Sequence, residues 1–224
     1  MKITKHRIFT LIWITSLTFL GGATSVSAIM LYDTTITNHT GNISHAAVAI
    51  ASGQLRPFSV LLLFIGLFGL GSVIAGFLFY KRTHHLKVLY TLLPIFLGLS
   101  LTLAYIMDAS HEIVLFVIAF GMGLQNGTYF KVKGILIRTT HMTGYLTDAA
   151  FSLGAVLKGN KDELWKVQWY MVSILVYFFG GLIATLVVLS MSYVVWEVIG
   201  LAYIGLGLFV YLFNPQLEHN WFSR

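Results

Sequence analysis

Six apolar runs, 8–30, 58–80, 88–107, 113–130, 168–190 and 192–213, dictate the class of fold. A helix needs ~20 mostly apolar residues to cross a bilayer. Inside lipid the backbone must satisfy its own hydrogen bonds, so the spanning element is a helix. Hydrophobic residues make up 57% of the chain and charged ones 10%, against about 25% charged in soluble domains. A length of 224 residues leaves room for a single membrane domain, 1–224, and none for a soluble one. The expected class is an all-α polytopic membrane protein of about six transmembrane helices. With no cysteine, disulfides, thiolate catalysis and thiolate metal sites are excluded.

The net charge of +6 is best read as cations left in cytoplasmic loops rather than as a nucleic-acid surface. Lys2, Lys5 and Arg7 precede the first run; Lys81, Arg82 and Lys87 follow the second; Lys158, Lys161 and Lys166 precede the fifth. Asp108 and Glu112, without a nearby Lys or Arg, suit an outside loop. This places both termini in the cytoplasm and makes the chain multi-pass. The N-terminus has the outline of a signal peptide, with Ser25-Val26-Ser27-Ala28 as a cleavage site. Apolar character resumes through Ile29-Met30-Leu31, so the run reads as a retained first span.

Two stretches, 33–55 and 134–158, are too polar to be ordinary spans, and they share a phrase. Thr37-Asn38-His39-Thr40-Gly41-Asn42-Ile43-Ser44-His45-Ala46-Ala47 recurs as Thr140-His141-Met142-Thr143-Gly144-Tyr145-Leu146-Thr147-Asp148-Ala149-Ala150. Each copy follows a β-branched run, which favours extended backbone. Thr40 and Thr143 are expected as N-caps of the helices that follow, with Gly41 and Gly144 allowing close approach. The loop charges are consistent with segments that enter and leave on one side, the first outside and the second inside. The halves, about 8–107 and 113–213, then form an inverted repeat with two broken, re-entrant segments. Such repeats place a binding site near the membrane midplane in many secondary transporters. The alternative is that both segments cross fully, which would make the repeats parallel. Gly69, Gly71, Ala75 and Gly76, with Gly180, Gly181 and Ala184, are read as helix-packing positions. Gly98 is read as lying in an ordinary span. Trp165, Trp169 and Trp221 are read as interfacial anchors.

Gly121-Met122-Gly123-Leu124-Gln125-Asn126, followed by Ile137-Arg138-Thr139-Thr140-His141-Met142-Thr143-Gly144-Tyr145-Leu146-Thr147-Asp148, resembles the signature of the YoaK-like family, and Thr40-Gly41-Asn42 matches its first-half motif. The resemblance covers nearly the whole chain. It implies an uncharacterised bacterial inner-membrane protein with about six spans, in a family sometimes described as small-molecule transporters, and it supplies no substrate. One departure stands out: the family usually carries an acid in the first helix about where this chain has Thr24.

The candidate substrate-binding residues are Thr40, Gly41, Asn42, His45, Gln125, Asn126, Arg138, Thr143, Gly144 and Asp148. Asp148 either carries a proton or accepts a cation, or it stabilises the positive end of its own helix. Arg138 either pairs with Asp148 or holds an anionic group. His45, equivalent to Asp148, forms a titratable pair with it or simply packs. Gln125 and Asn126 bind across helices or bind solute. Glu197 lies within the last run, where it either snorkels to water or serves function. His39, His141 and His45 lack the shared spacing and carboxylates of a metal site, and no metal or other cofactor is expected. No nucleophile, base and orienter occur together, so no enzyme is expected. Two helix N-termini aimed at one point favour an anionic or polar solute. The expected function is a secondary transporter of a small polar or anionic solute, with proton coupling through Asp148 and His45. Its expected partners are the lipid bilayer and further copies of itself in a homo-oligomer, without nucleic acid. The alternative is a non-transporting membrane scaffold or accessory subunit.

Overall fold

The computed structural model describes residues 5–80, 86–128, 130–133 and 135–213. The element order is α1 (Lys5–Tyr32), α2 (His39–Ala51), α3 (Leu55–Phe79), α4 (Leu86–Ile106), α5 (His111–Gly127), β1 (Phe130–Val132), β2 (Ile135–Ile137), α6 (Met142–Leu157), α7 (Leu164–Met191) and α8 (Val195–Phe213). Among the described residues the regular structure is helical apart from the small antiparallel hairpin β1–β2, in which Val132 faces Ile135. Single 3-10 turns at Lys161–Glu163 and Ser192–Val194 lead into α7 and α8.

Four stretches are long and apolar enough to cross a membrane: Phe9–Tyr32, Leu55–Phe79, Val88–Ile106 and Lys161–Phe213. The last is 53 residues long and contains two helices. Ser192, at a φ of 52°, breaks the backbone between α7 and α8. The fourth apolar run of the sequence becomes α5, only 17 residues long, at the short end of the ~17–25 that span a bilayer. Phe130, the last residue of that run, opens the hairpin.

α2 and α6 are short and end alike. Gly53 (φ 71°) and Gly159 (φ 100°) adopt the left-handed conformation that side chains resist. The Gln54 amide donates to Ala49 O at 2.8 Å and the Asn160 amide donates to Ala155 O at 3.0 Å. Each pattern satisfies carbonyls that a helix end leaves orphaned. α2 begins beside the middle of α3, with the His39 ring 4.0 Å from that of Phe68, and it ends next to the start of α3.

Three helix pairs carry the packing: α1 with α7, α3 with α5, and α4 with α8. In lipid, helices associate through close contact rather than hydrophobic exclusion, so small residues mark the crossings. A methyl group on Gly22 would overlap the Tyr177 carbonyl, and one on Gly180 would overlap that of Phe19. The α3–α5 crossing repeats this arrangement, with Gly71 against Phe120 O and Gly123 against Phe68 O. Gly98 and Gly200 meet each other's carbonyls where α4 crosses α8. Gly98 is therefore a crossing position, not an unremarkable one. Gly69 and Gly76, expected in packing, face open space, whereas Gly71, Gly180 and Gly181 are in the crossings. Arg56 and Glu112 form an exposed ion pair at 3.1 Å, and Glu163 pairs with Lys166 at 2.7 Å.

Candidate functional site

α5 ends in two buried amides, Gln125 and Asn126. The chain then runs out through the hairpin and returns, so that 138–140 lies against the end of the helix it has just left. Gln125 Nε2 donates to Thr139 Oγ1 at 2.7 Å and to the α1 carbonyl of Leu17 at 3.0 Å. Its Oε1 accepts from the buried Tyr203 hydroxyl of α8 at 2.7 Å. Asn126 clamps Thr140: its Nδ2 donates to Oγ1 at 2.5 Å, and its Oδ1 accepts from the Thr140 amide at 3.1 Å. One amide thus ties three helices and the extended segment together. An amide left unmatched in lipid would be costly, so each fixes the position of its partner.

Arg138 completes the arrangement. Its Nη1 donates to the carbonyls of Asn126 and Thr128, covering the orphaned, partly negative end of α5. Its amide donates to the Tyr145 hydroxyl at 2.8 Å. The expected Arg138–Asp148 pair does not form. Among the described residues the ion pairs are Arg56–Glu112 and Lys166–Glu163. Asp148 is exposed on α6 and interacts with the Tyr170 hydroxyl of α7. The physical reason is that the α5 carbonyls lie within reach of Arg138, and binding them satisfies the half-buried guanidinium.

The first polar segment docks in an equivalent way with smaller groups. The Thr37 and Ser25 hydroxyls are 3.1 Å apart, the counterpart of Thr140 on Asn126. Buried Asn42 donates from Nδ2 to Thr35 O at 2.9 Å and accepts from the Thr35 hydroxyl at 3.3 Å. This is the counterpart of Tyr145 on Arg138. Thr24, buried on α1, donates to Leu20 O of its own helix at 2.8 Å and lies within reach of the Tyr203 hydroxyl. The two His39 ring nitrogens are buried without a partner.

The expected N-caps shift. Asn38 caps α2, accepting from the Gly41 amide at 3.3 Å, and His141 occupies the cap position of α6. Thr40 and Thr143 fall one residue inside their helices and are exposed. Gly41 and Gly144 meet only the side chains of those two cap residues, not a passing backbone. His45 and Asp148 hold equivalent exposed places on α2 and α6 and form no ion pair with each other. Glu197 falls in the first turn of α8, where an acid complements the helix N-terminus.

The structure therefore gathers Gln125, Asn126 and Arg138, and separately Asn42, into docked segments, and leaves Thr40, His45, Thr143 and Asp148 on outer faces. Sequence reading missed Tyr203, Thr139, Tyr145 and Ser25. Ser25 and Thr24 stand to the first phrase as Asn126 and Gln125 stand to the second, a register that would have signalled them. Among the described residues, no three His, Cys, Asp or Glu side chains gather to hold a metal. A groove of about 620 Å³ lies between α1, α7 and α8, and none of the motif residues lines it.

Residues 13–210 match the model of a family described as a protein of unknown function, DUF1275. The YoaK-like resemblance is consistent with that match. No curated protein and no solved structure matches the chain.

Proposed function

The chain belongs to the DUF1275 family, and we propose that it is a six-span secondary transporter of a small polar or anionic solute, built as an inverted repeat. The observation that carries this reading is the equivalence of contacts between the halves. α1 meets α7 through Phe19, Gly22, Tyr177 and Gly180, as α5 meets α3 through Phe120, Gly123, Phe68 and Gly71. Pairing first-half helices with second-half ones in this reciprocal way is what a two-fold relation produces. The Gly98–Gly200 contact of α4 with α8 then lies on the axis. Three spans per half invert the second copy. α2 and α6 are re-entrant, and their N-termini with the docked extended segments form the site.

In this reading the bacterial inner membrane holds both termini on the cytoplasmic side. Alternating access consists of releasing one docked segment while the other stays bound, with solute replacing the partners of Asn126, Gln125 or Asn42. Extended backbone at membrane depth needs protein or water around it, so the segments are the natural walls of a pathway. His45 and Asp148 are the groups assigned to proton coupling.

A scaffold is the second reading. It is favoured by one observation: the polar groups of Gln125 and Asn126 are satisfied within the protein. Thiol labelling on this cysteine-free chain separates the two. Thr139, 1% exposed, is changed to Cys, and a membrane-impermeant maleimide is applied to sealed vesicles. Transport predicts slow labelling whose rate responds to a pH gradient, faster than at buried Ala119→Cys. A scaffold predicts equal protection of both cysteines.

A further inference from the structure

His39 is the first residue of α2, and its ring lies 4.0 Å from that of Phe68 on α3. Both ring nitrogens are buried, and among the described residues neither has a hydrogen-bond partner. The surface under the ring is fixed, because the Phe68 carbonyl sits against Gly123 in the α3–α5 crossing. A neutral imidazole has one donor and one acceptor, and leaving both unmatched already costs stability. A second proton adds three penalties. The imidazolium would be a buried charge without a counter-ion. Both of its nitrogens would be unmatched donors. It would also stand at the positive end of the α2 dipole. The Phe68 ring offers a cation only a weak attraction against that loss of hydration.

Among the described residues no acid offsets these penalties. α3 carries a single charged side chain, Arg56, twelve residues before Phe68 or ~18 Å along the helix, and it pairs with Glu112. α5, on the far side of α3, carries His111 and Glu112 in its first turn and no other titratable group. In the segment leading into α2, Asp33 is six residues away and exposed; on α2 itself, His45 is six residues on and exposed. None of them pairs with His39. The second half has Met142 at the equivalent place, packed against the core, and a thioether does not titrate. The arrangement is therefore particular to the first segment.

We propose that His39 is a proton-operated latch: its neutral ring holds the start of α2 against α3, and a proton taken up by the ring releases α2 together with the segment before it. Once released, the ring is hydrated and titrates at about pH 6.5. The docked ring carries no proton. Docking is therefore at full strength above that pH and is lost as pH falls below it, by up to about tenfold in the equilibrium per pH unit. The latch rests on the α2–α3 contact and stands whether or not a solute is transported. Its proton is separate from the coupling assigned to His45 and Asp148.

The test follows the burial of Ala46, 8% exposed and two turns beyond His39 on the buried face of α2. Ala46→Cys is made in the full, cysteine-free chain. Its maleimide reaction in detergent is expressed relative to that of Ser52→Cys, which is exposed after α2. That ratio removes the intrinsic pH dependence of a thiol. In the otherwise wild-type chain it should rise on the order of tenfold between about pH 7.5 and about pH 5.5. His39→Phe keeps a ring on Phe68 and should hold the ratio low throughout, and His39→Gln serves as a second variant that cannot titrate if the first fails to fold. His39→Lys carries its charge at every pH tested and should hold the ratio high. His45→Gln with Asp148→Asn should leave the rise intact. A ratio that does not change with pH in the otherwise wild-type chain would overturn the latch. So would an equal rise in His39→Phe or His39→Gln, or loss of the rise in the His45→Gln, Asp148→Asn protein, either of which would assign the proton to another group.

Discussion

The two polar segments that carry α2 and α6 dock alike and are held by unlike chemistry. In the second, amides and a guanidinium bind three helices at once: Gln125 reaches Leu17, Thr139 and Tyr203, and Arg138 covers the end of α5. In the first, hydroxyls do most of the work, with Ser25 on Thr37 and Thr35 on Asn42, and the His39 nitrogens have no partner. Equivalent frames with unequal fastening imply that the first segment is the easier one to release. In a protein that alternates between states, such a bias lets one half move against the other.

The shared frame is broken most severely at its crossings. Gly22→Leu and Gly123→Leu should each cost about 3 kcal/mol or more, because the partner is main chain that cannot rotate aside. Thermal unfolding in detergent should show losses of similar size in both, and little change for Gly69→Leu, where nothing lies within 4 Å. A large loss at one crossing only would end the equivalence.

The unequal fastening is next. Gln125→Leu removes a partner from each of the Tyr203 and Thr139 hydroxyls and should cost about 2 kcal/mol. Thr24→Val, at the corresponding place, should cost about 1 kcal/mol or less, since Thr24 donates within its own helix. The same melting experiment compares them, and equal losses would remove the asymmetry. Arg138→Gln and Asp148→Asn should be additive within about 0.5 kcal/mol in a double-mutant cycle, because the two side chains do not pair.

Smaller effects sharpen the caps. Gly53→Ala and Gly159→Ala force a Cβ into left-handed backbone, and each should lose about 1 kcal/mol. Gly41→Ala and Gly144→Ala meet only the side chains of Asn38 and His141 and should stay within about 0.5 kcal/mol of wild type. Chemical denaturation of the four variants checks both statements.

Much of this architecture is legible in the sequence. Apolar runs mark the long helices, because lipid demands length and apolarity together. The recurring phrase marks two short helices of matching construction, because the same local sequence makes the same local structure. What failed to show was everything decided by a neighbour from elsewhere in the chain. Thr40 looks like a cap, but Asn38 is the residue placed where the docked backbone turns. Arg138 and Asp148 look like a pair, but the carbonyls of α5 bind the guanidinium. Gly98 looks unremarkable because its partner, Gly200, is a hundred residues away. The α1–α7 and α3–α5 crossings did leave one trace, an aromatic residue three positions before a glycine in all four helices: Phe19-Gly22, Phe68-Gly71, Phe120-Gly123 and Tyr177-Gly180. The groove beside α1 had no such trace, since small residues read equally well as packing.

The inverted, re-entrant architecture is tested most directly by the sidedness of two exposed residues that end the short helices, Ser52 after α2 and Asn160 after α6. Single cysteines there, in a chain with none of its own, can be labelled with an impermeant maleimide in intact cells and in inverted vesicles. Re-entrant segments entering from opposite faces predict that Ser52→Cys reacts from outside and Asn160→Cys from the cytoplasm. Reaction of both from the same face would contradict it and leave two fully crossing segments in a parallel repeat.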